Sequence, residues 1–280
     1  MSHPAIVQGN IAVITGGAAG IGLAAADAFV KAGLRVCIAD VGADRLAEAA
    51  RRLGHADQVM TAETDVSRFE AVEALAQAVA ARWGVPDILM NNAGIQPGSG
   101  MFGPRANWER VIDVNLWGVI NGIQAFVPAM MKKGTPGLVI NTGSKQGITT
   151  PPGDPAYNIS KAGVKVATEA LAHELRSAAG CGLSAHLLIP GFVFTGLTAK
   201  GRTEKPAGAW TPEQTVAFML TSLAAGDFYI LCPDNEVTRA LDEKRIAWAA
   251  GDIVENRPPL SRWHKDYGEA FATFVKGGKA

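Results

Sequence analysis

The chain has no excess charge of either sign: Lys plus Arg number 26 and Asp plus Glu number 26 over 280 residues. This balance excludes a strongly basic surface built for nucleic acid or for an anionic membrane. Cysteine is scarce. Cys37, Cys181 and Cys232 are odd in number, scattered and without CxxC spacing, which argues against a disulfide framework and a zinc ribbon. The five histidines (3, 55, 173, 186 and 264) lack metal-ligand spacing, so no metal is expected, and His173 reads as a surface or interface residue. No apolar run reaches the ~18 residues of a membrane span, and the opening MSHPAIVQGN carries no signal-peptide pattern. Repeats and low-complexity tracts are missing too. The expectation is a soluble cytoplasmic protein with no nucleic-acid partner and no stable membrane insertion. Hydrophobic residues at 48% against 19% charged exclude intrinsic disorder.

What is plentiful is glycine, at 32 residues, the residue of tight turns and close backbone approach. Short apolar, β-rich runs at 10–15, 35–39, 58–62, 87–91, 137–142, 183–189 and 228–231 punctuate the chain. Helical patterns lie between them at 23–32, 44–53, 108–131 and 157–179, and another runs to Trp83 with Ser67 as N-cap and Glu70 completing a capping box. Helical patterns follow at 237–249 and 263–275, broken by Pro258 and Pro259. Strands alternating with helices predict βαβ units and an α/β fold: one doubly wound parallel sheet flanked by helices, a single domain over 1–280. Within it, 10–195 reads as cofactor and catalytic core, the Gly- and Pro-rich 196–212 as a lid, and 232–280 as a C-terminal helical extension.

The first strand runs into Gly16, Gly17, Ala18, Ala19, Gly20, Ile21 and Gly22 and then a helix. Glycines there let the backbone approach a pyrophosphate, and the helix start offers free N–H donors and a positive dipole end. No Gly-Lys-Ser/Thr follows, so the turn is not a P-loop. Asp40 ends the second strand, 18 residues beyond Gly22. A carboxylate at that place accepts hydrogen bonds from ribose hydroxyls and repels a 2′-phosphate. Val41 rather than Arg follows it, and Ala18 and Ala19 put no cation in the turn, so NAD is favoured over NADP.

Tyr157 and Lys161 are four residues apart on one helix face, and Ser144 lies 13 residues before Tyr157, just past a strand end. In open parallel sheets ligands bind beyond the carboxyl ends of the strands. An alcohol must lose a proton as hydride leaves its carbon, and a free Tyr, with a pKa near ~10, is a poor base at neutral pH. The Lys161 ammonium and a nicotinamide cation would favour phenolate, while Ser144 could hold the reacting oxygen.

At this point the sequence resembles the short-chain dehydrogenase/reductase family, in its single-domain Rossmann-type branch. The matching pieces are TGGAAGIG (15–22), Asp40, Asp65-Val66, NNAG (91–94), Asn115 in VNLWG, Ser144 in TGSKQG, YNISK (157–161) and PGFVFT (190–195), all in family order. The resemblance implies that Asp65 and Val66 flank the adenine and that Asn92, Ala93 and Gly94 line the cofactor. It further implies that Asn115 holds a water linking Lys161 to solvent. Pro190, Gly191, Val193 and Thr195 would meet the nicotinamide end, where Tyr157 and Lys161 also contact the cofactor. The helices holding Asn115 and Tyr157 form a dimer interface in this family, so a homodimer or homotetramer is expected. Two departures stand out. Gly143 and Lys145 flank Ser144, leaving Lys145 either near the site or at its rim, and the C-terminal tail is not the short glycine-ended one typical of the branch.

Substrate contacts are expected from Ile95, Gln96, Ser144, Gln146, Ile148, Pro151 and Trp210, a mainly apolar pocket with two polar fingers. Together these features lead to the expectation of an NAD-dependent oxidoreductase interconverting a hydrophobic, aromatic or cyclic secondary alcohol and its ketone, with Tyr157 as general acid/base. The alternative is a catalytically silent nicotinamide-binding sensor or scaffold. Hydrolysis by Ser144 is disfavoured because the GxSxG elbow is missing. Packing rather than membrane contact is the favoured role of Trp248, Trp263, Phe271 and Phe274.

Overall fold

The computed structural model describes residues 2–55 and 57–277. Seven strands run β1 (Ile11–Thr15), β2 (Arg35–Asp40), β3 (Val59–Glu63), β4 (Ile88–Asn91), β5 (Gly137–Thr142), β6 (Leu183–Ile189) and β7 (Tyr229–Leu231). They form one sheet in the order β3-β2-β1-β4-β5-β6-β7, and every pairing is parallel. Their apolar residues are buried on both faces, as parallel strands require. Ile14, Ile38, Met90 and Ile140 point into one layer with Leu23 and Phe29, while Val13, Cys37, Leu89 and Val139 point into the other with Val72, Phe126 and Leu175. Cys37, Cys181 and Cys232 are all unpaired.

The first layer is covered by α1 (Gly20–Lys31), α2 (Ala43–Leu53) and a helix that the sequence reading missed, α9 (Pro212–Ala225). Thr211 caps α9 with a complete capping box, Pro212 stands in its first turn, and Val216, Met219 and Leu223 form its buried stripe. The opposite layer holds α3 (Phe69–Trp83), α4 (Arg105–Ile112), α5 (Gly118–Lys133) and α7 (Pro155–Ser177), with short α6 (Gln146–Thr149) and α8 (Gly196–Ala199) in loops. α10 (Arg239–Val254) and α11 (Gly268–Lys276) make the C-terminal extension. Its small core gathers on Trp248, whose ring meets Phe271 and Phe274 at 5.4 and 5.3 Å, while its indole N–H donates to Ser261 Oγ at 2.7 Å.

Two local expectations change. Ser67 does not cap α3: its N–H and hydroxyl both donate to Asp65 Oδ1, at 3.0 and 2.7 Å, so the Asp65 carboxylate organises the turn and α3 begins beyond it. The helix carrying Asn115 is not regular either. Asp113–Trp117 form a π-turn between α4 and α5, a distortion often found at functional sites. The whole Arg105–Lys133 stretch is long and apolar enough to cross a membrane by composition, yet Val119, Phe126, Val127 and Met130 are buried against the protein's own core.

Candidate active site

Between β3 and β4 the chain leaves one sheet edge and returns to the centre, so β1 and β4 become neighbours and the helices after them diverge. A crevice opens at such a switch point, beyond the carboxyl ends of the strands. Here it is a cavity of about 660 Å³, reached by Gly16 after β1, Asp40 at the end of β2, Asp65 after β3, Asn92 after β4, Ser144 after β5 and Pro190 after β6.

At its phosphate end, α1 starts at Ala19 with no side-chain cap and no acidic residue in its first turn. Its first N–H groups and positive dipole end are therefore open to an anion. Gly16 has φ +63° and leaves no room for a side chain, since a Cβ would lie 2.7 Å from Ala93 Cα. A Cβ on Gly22 would collide with the Gly16 carbonyl, so Gly22 shapes the turn from behind without lining the cavity. Asn92 locks the turn to β4. It donates through Nδ2 to the Thr15 and Gly16 carbonyls, both at 3.2 Å, and its N–H donates to Thr15 Oγ1 at 3.0 Å.

Asp40 is held by the N–H groups of Ala18 (3.0 Å) and Val41 (2.8 Å). Arg45, not anticipated from the sequence, stands 3.4 Å from its carboxylate, donates to the Val41 carbonyl at 2.6 Å and lines the cavity. The turn itself carries no cation, but the first turn of α2 delivers one. No spacing rule for the glycine turn points to a residue on the next helix. Val66 flanks the cavity beside Asp65, and its carbonyl accepts from Asn121 Nδ2 at 2.8 Å.

At the far end, α7 presents Tyr157 and Lys161 together. Lys161 Nζ donates to the Thr142 carbonyl at 2.8 Å and lies 5.8 Å from the centre of the Tyr157 ring. Burial pushes the Tyr157 phenol up to about 12; hydrogen bonding with Ser144 acts the other way and the Asp154 charge adds to the rise. Burial pushes Lys161 down to about 8. Desolvation is thus the largest influence on both groups, opposing phenolate at Tyr157 and ammonium at Lys161.

Asn115 is fully buried in the π-turn and does not line the cavity. Its Oδ1 accepts from Ile95 N–H at 2.8 Å, and its Nδ2 donates to the Ile95 carbonyl at 3.0 Å and to Ser160 Oγ at 3.2 Å. Ser160 in turn donates to the Tyr157 carbonyl at 2.8 Å. Asn115 thereby ties the segment after β4 to the turn of α7 that bears Tyr157.

The cavity brings together Gly16, Ala19, Gly20, Ile21, Asp40, Val41, Asp65, Val66, Asn92, Ala93, Gly94, Ser144, Tyr157, Lys161, Pro190, Gly191, Val193 and Thr195. A dinucleotide suits this lining: open N–H donors at one end, a carboxylate on the β2 tip, and a hydroxyl pair at the other.

The expected substrate residues divide. Ile95 and Ser144 line the cavity; Gln96, Gln146, Ile148, Pro151 and Trp210 do not. Trp210 packs on Phe218 with ring centres 5.8 Å apart, and its backbone pairs with Phe192 and Phe194 at 2.8 and 2.9 Å, so it pins the 196–212 segment to the loop after β6. Gln96 and Gln146 approach each other at 3.5 Å. Pro151 accepts from Asn158 Nδ2 at 2.7 Å. The turn of α6 aims Ile148 into a second cavity on the other side. Lys145 is turned away from the first cavity: its Nζ lies 2.6 Å from Asp242 and 3.5 Å from Asp234, tying the Ser144 loop to the extension. Among the described residues no grouping of three His, Cys, Asp or Glu could hold a metal.

A family profile described as short chain dehydrogenase matches residues 10–206. The "Probable oxidoreductase EphD" of Mycobacterium tuberculosis is 39% identical over 66% of this chain, but that match spans only 31% of the relative's own length. The 1-deoxy-11-beta-hydroxypentalenate dehydrogenase of Streptomyces exfoliatus is 30% identical over 92% of this chain and 95% of its own. Among solved structures, a short chain dehydrogenase/reductase from Burkholderia phymatum in complex with NAD superposes with a TM-score of 0.81 at 30% identity, covering 90% of this chain and 96% of the other.

Proposed function

Since the chain belongs to the short chain dehydrogenase family, we propose that it is an NAD-dependent oxidoreductase interconverting a hydrophobic secondary alcohol, aromatic or cyclic, and its ketone. The observation that carries this reading is the Ser144–Tyr157–Lys161 group, its tyrosine and lysine buried, at one end of a cavity whose other end is an open helix N-terminus beside Asp40. The nicotinamide, when bound, supplies the hydride acceptor or donor. The protein's own residues handle the proton. The Ser144 hydroxyl would orient the reacting oxygen toward Tyr157; in reduction the phenol gives its proton to the alkoxide, and in oxidation Tyr157 first releases its proton through the Lys161 relay and then, as phenolate, takes the alcohol's proton. Lys161, pushed down to about 8, sits behind Tyr157 as the group through which that proton is exchanged, and a water at Asn115 would link it to solvent.

Cofactor choice rests on Asp40, which would accept from the ribose hydroxyls and repel a 2′-phosphate; Arg45, ion-paired with it, tempers that repulsion. The solved relative's NAD complex supports NAD, and the Streptomyces relative's name supports a dehydrogenase. Trp117 at 50% exposure and Val166 at 62% leave apolar surface on the helices after Asn115 and Tyr157, which supports a homo-oligomer formed through that face.

The test is a reduced-nicotinamide absorbance assay with NAD and NADP and a panel of aliphatic, aromatic and steroidal secondary alcohols. Tyr157→Phe should lower turnover by about 10²–10⁴-fold, as expected for loss of a general acid/base, while NAD still raises the melting temperature. Activity retained within tenfold would remove Tyr157 from the role. Tighter binding of NADP than NAD would overturn the cofactor assignment.

A further inference from the structure

A second cavity, of about 630 Å³, lies between the end of α6, the inner face of α10 and the segment that follows α10. Its walls include Ile148, Ile246, Leu260 and Trp263, and its charged groups are Arg245, Arg257, Arg262 and Asp252. Two of these four satisfy each other. Arg257 pairs with Asp252 at 3.0 Å, donates to the Trp248 carbonyl at 2.6 Å and reaches Glu255 at 3.4 Å. Asp252 also accepts from the N–H and hydroxyl of Ser261.

Arg245 and Arg262 are left over. Among the described residues neither has a carboxylate within ion-pair distance, and Arg245 Nε is buried without a hydrogen-bond partner. An unpartnered buried donor is costly, more so when charged, and two cations facing one space add mutual repulsion. Asp242, the carboxylate whose charge acts on both, is engaged 2.6 Å from Lys145. The Arg262 guanidinium lies over Trp263 and Phe271, at 4.7 and 5.2 Å from their ring centres, so its plane is held. Two guanidinium forks left without carboxylate partners in a cavity that also offers Ile148, Ile246, Leu260 and Trp263 match a carboxylate with a hydrocarbon body, because the forks bind the two oxygens side by side.

We propose that this cavity binds an organic carboxylate, its head on Arg245 and Arg262 and its apolar body against Ile148, Ile246, Leu260 and Trp263. The site shares no lining residue with the first cavity. An occupant would touch residues 148–150, the turn that follows Ser144, and so would brace the active-site loop.

The test is calorimetric titration of the full chain, saturated with NAD, using octanoate as probe and octan-1-ol and acetate as comparisons. The expected result is saturable octanoate binding at least tenfold tighter than either. In Arg245→Gln/Arg262→Gln that preference should vanish while NAD binding is unchanged. Should the double variant not fold, Arg262→Gln alone serves: it removes one of the two guanidinium groups and should weaken octanoate binding at least tenfold while NAD binding is unchanged. Octanoate binding no tighter than octan-1-ol, or undiminished in these variants, overturns the proposal.

Discussion

Replacing Lys145 with methionine isolates the coupling between the active-site loop and the extension. Lys145 is 17% exposed, and its partners Asp234 and Asp242 are 6% and 5% exposed. The two carboxylates are not equally provided for. Asp234 accepts from the N–H groups of Phe192, Glu236 and Val237, at 3.2, 3.1 and 2.7 Å. It keeps its charge stabilised without the lysine. Asp242 Oδ2 is buried with no polar partner besides Lys145. Burial raises the Asp242 pKa, against which Lys145 acts first and Arg245 after it. Lys145→Met therefore leaves a buried, uncompensated carboxylate, a loss of about 3–5 kcal/mol. Against a total stability of ~5–15 kcal/mol, and at ~2–4 °C per kcal/mol for a domain near this size, the melting temperature should fall by roughly 6–20 °C. The pH dependence gives the sign. A carboxyl whose folded pKa is raised binds its proton more readily when folded, so the destabilisation is absent below the unfolded pKa of ~3.9 and grows as pH rises through the folded one. The variant should regain stability as pH falls from 8 toward 4.5, and Lys145→Met/Asp242→Asn should recover most of the loss at pH 7.5. Circular-dichroism melts across that range are the assay. A variant melting within 2 °C of wild type at pH 7.5, or one with no recovery in acid, would falsify the account.

Asp40→Ala should shift the ratio of NADP to NAD affinity by at least tenfold toward NADP, because it removes the carboxylate and frees Arg45 from its 3.4 Å pair; fluorescence titration with both reduced cofactors measures it, and an unchanged ratio refutes the assignment. Gly122→Ala should cost about 1–3 kcal/mol by overpacking. Its Cβ would lie 2.9 Å from Asn91 Cγ and collide with Oδ1, straining the buried Asn91–Asn141 hydrogen bond of 2.8 Å. A urea midpoint equal to that of wild type would show that the helix can move aside.

The parts of the molecule that could be read from the sequence are those whose signals are local. A β-rich run followed by glycines and a helix specifies a turn over a few residues. Tyr157 and Lys161 share a helix face through their spacing alone. The α9 signal was equally local, in Thr211, Pro212 and Gln214, and was passed over between the lid and the last strand. Ser67 fails as a cap because α3 starts at Phe69, with Arg68 in the N-cap position, while the Ser67 hydroxyl turns back to Asp65. Other failures are non-local. The substrate side of α6 depends on the rotation of a four-residue helix, which no periodicity determines over so short a span. The direction of the Tyr157 shift depends on burial, set by chain segments packed from several elements.

Lys145 shows why the substrate end resists reading most. Its partners are 89 and 97 residues further along the chain, on elements that the family match, ending at 206, does not include. The loop after β6 is also held by later residues, through Trp210 on Phe192 and Phe194 and Asp234 on Phe192. The phosphate and ribose end, by contrast, is built within the first 92 residues, from Gly16 to Asn92. Ser144, Gly191 and Val193 thus face the reacting centre from loops whose backs are held by residues 210–242. Altering that later stretch should reshape the substrate end while leaving the cofactor end intact, because no strand order or glycine turn has to change for Lys145 or Phe192 to be held differently.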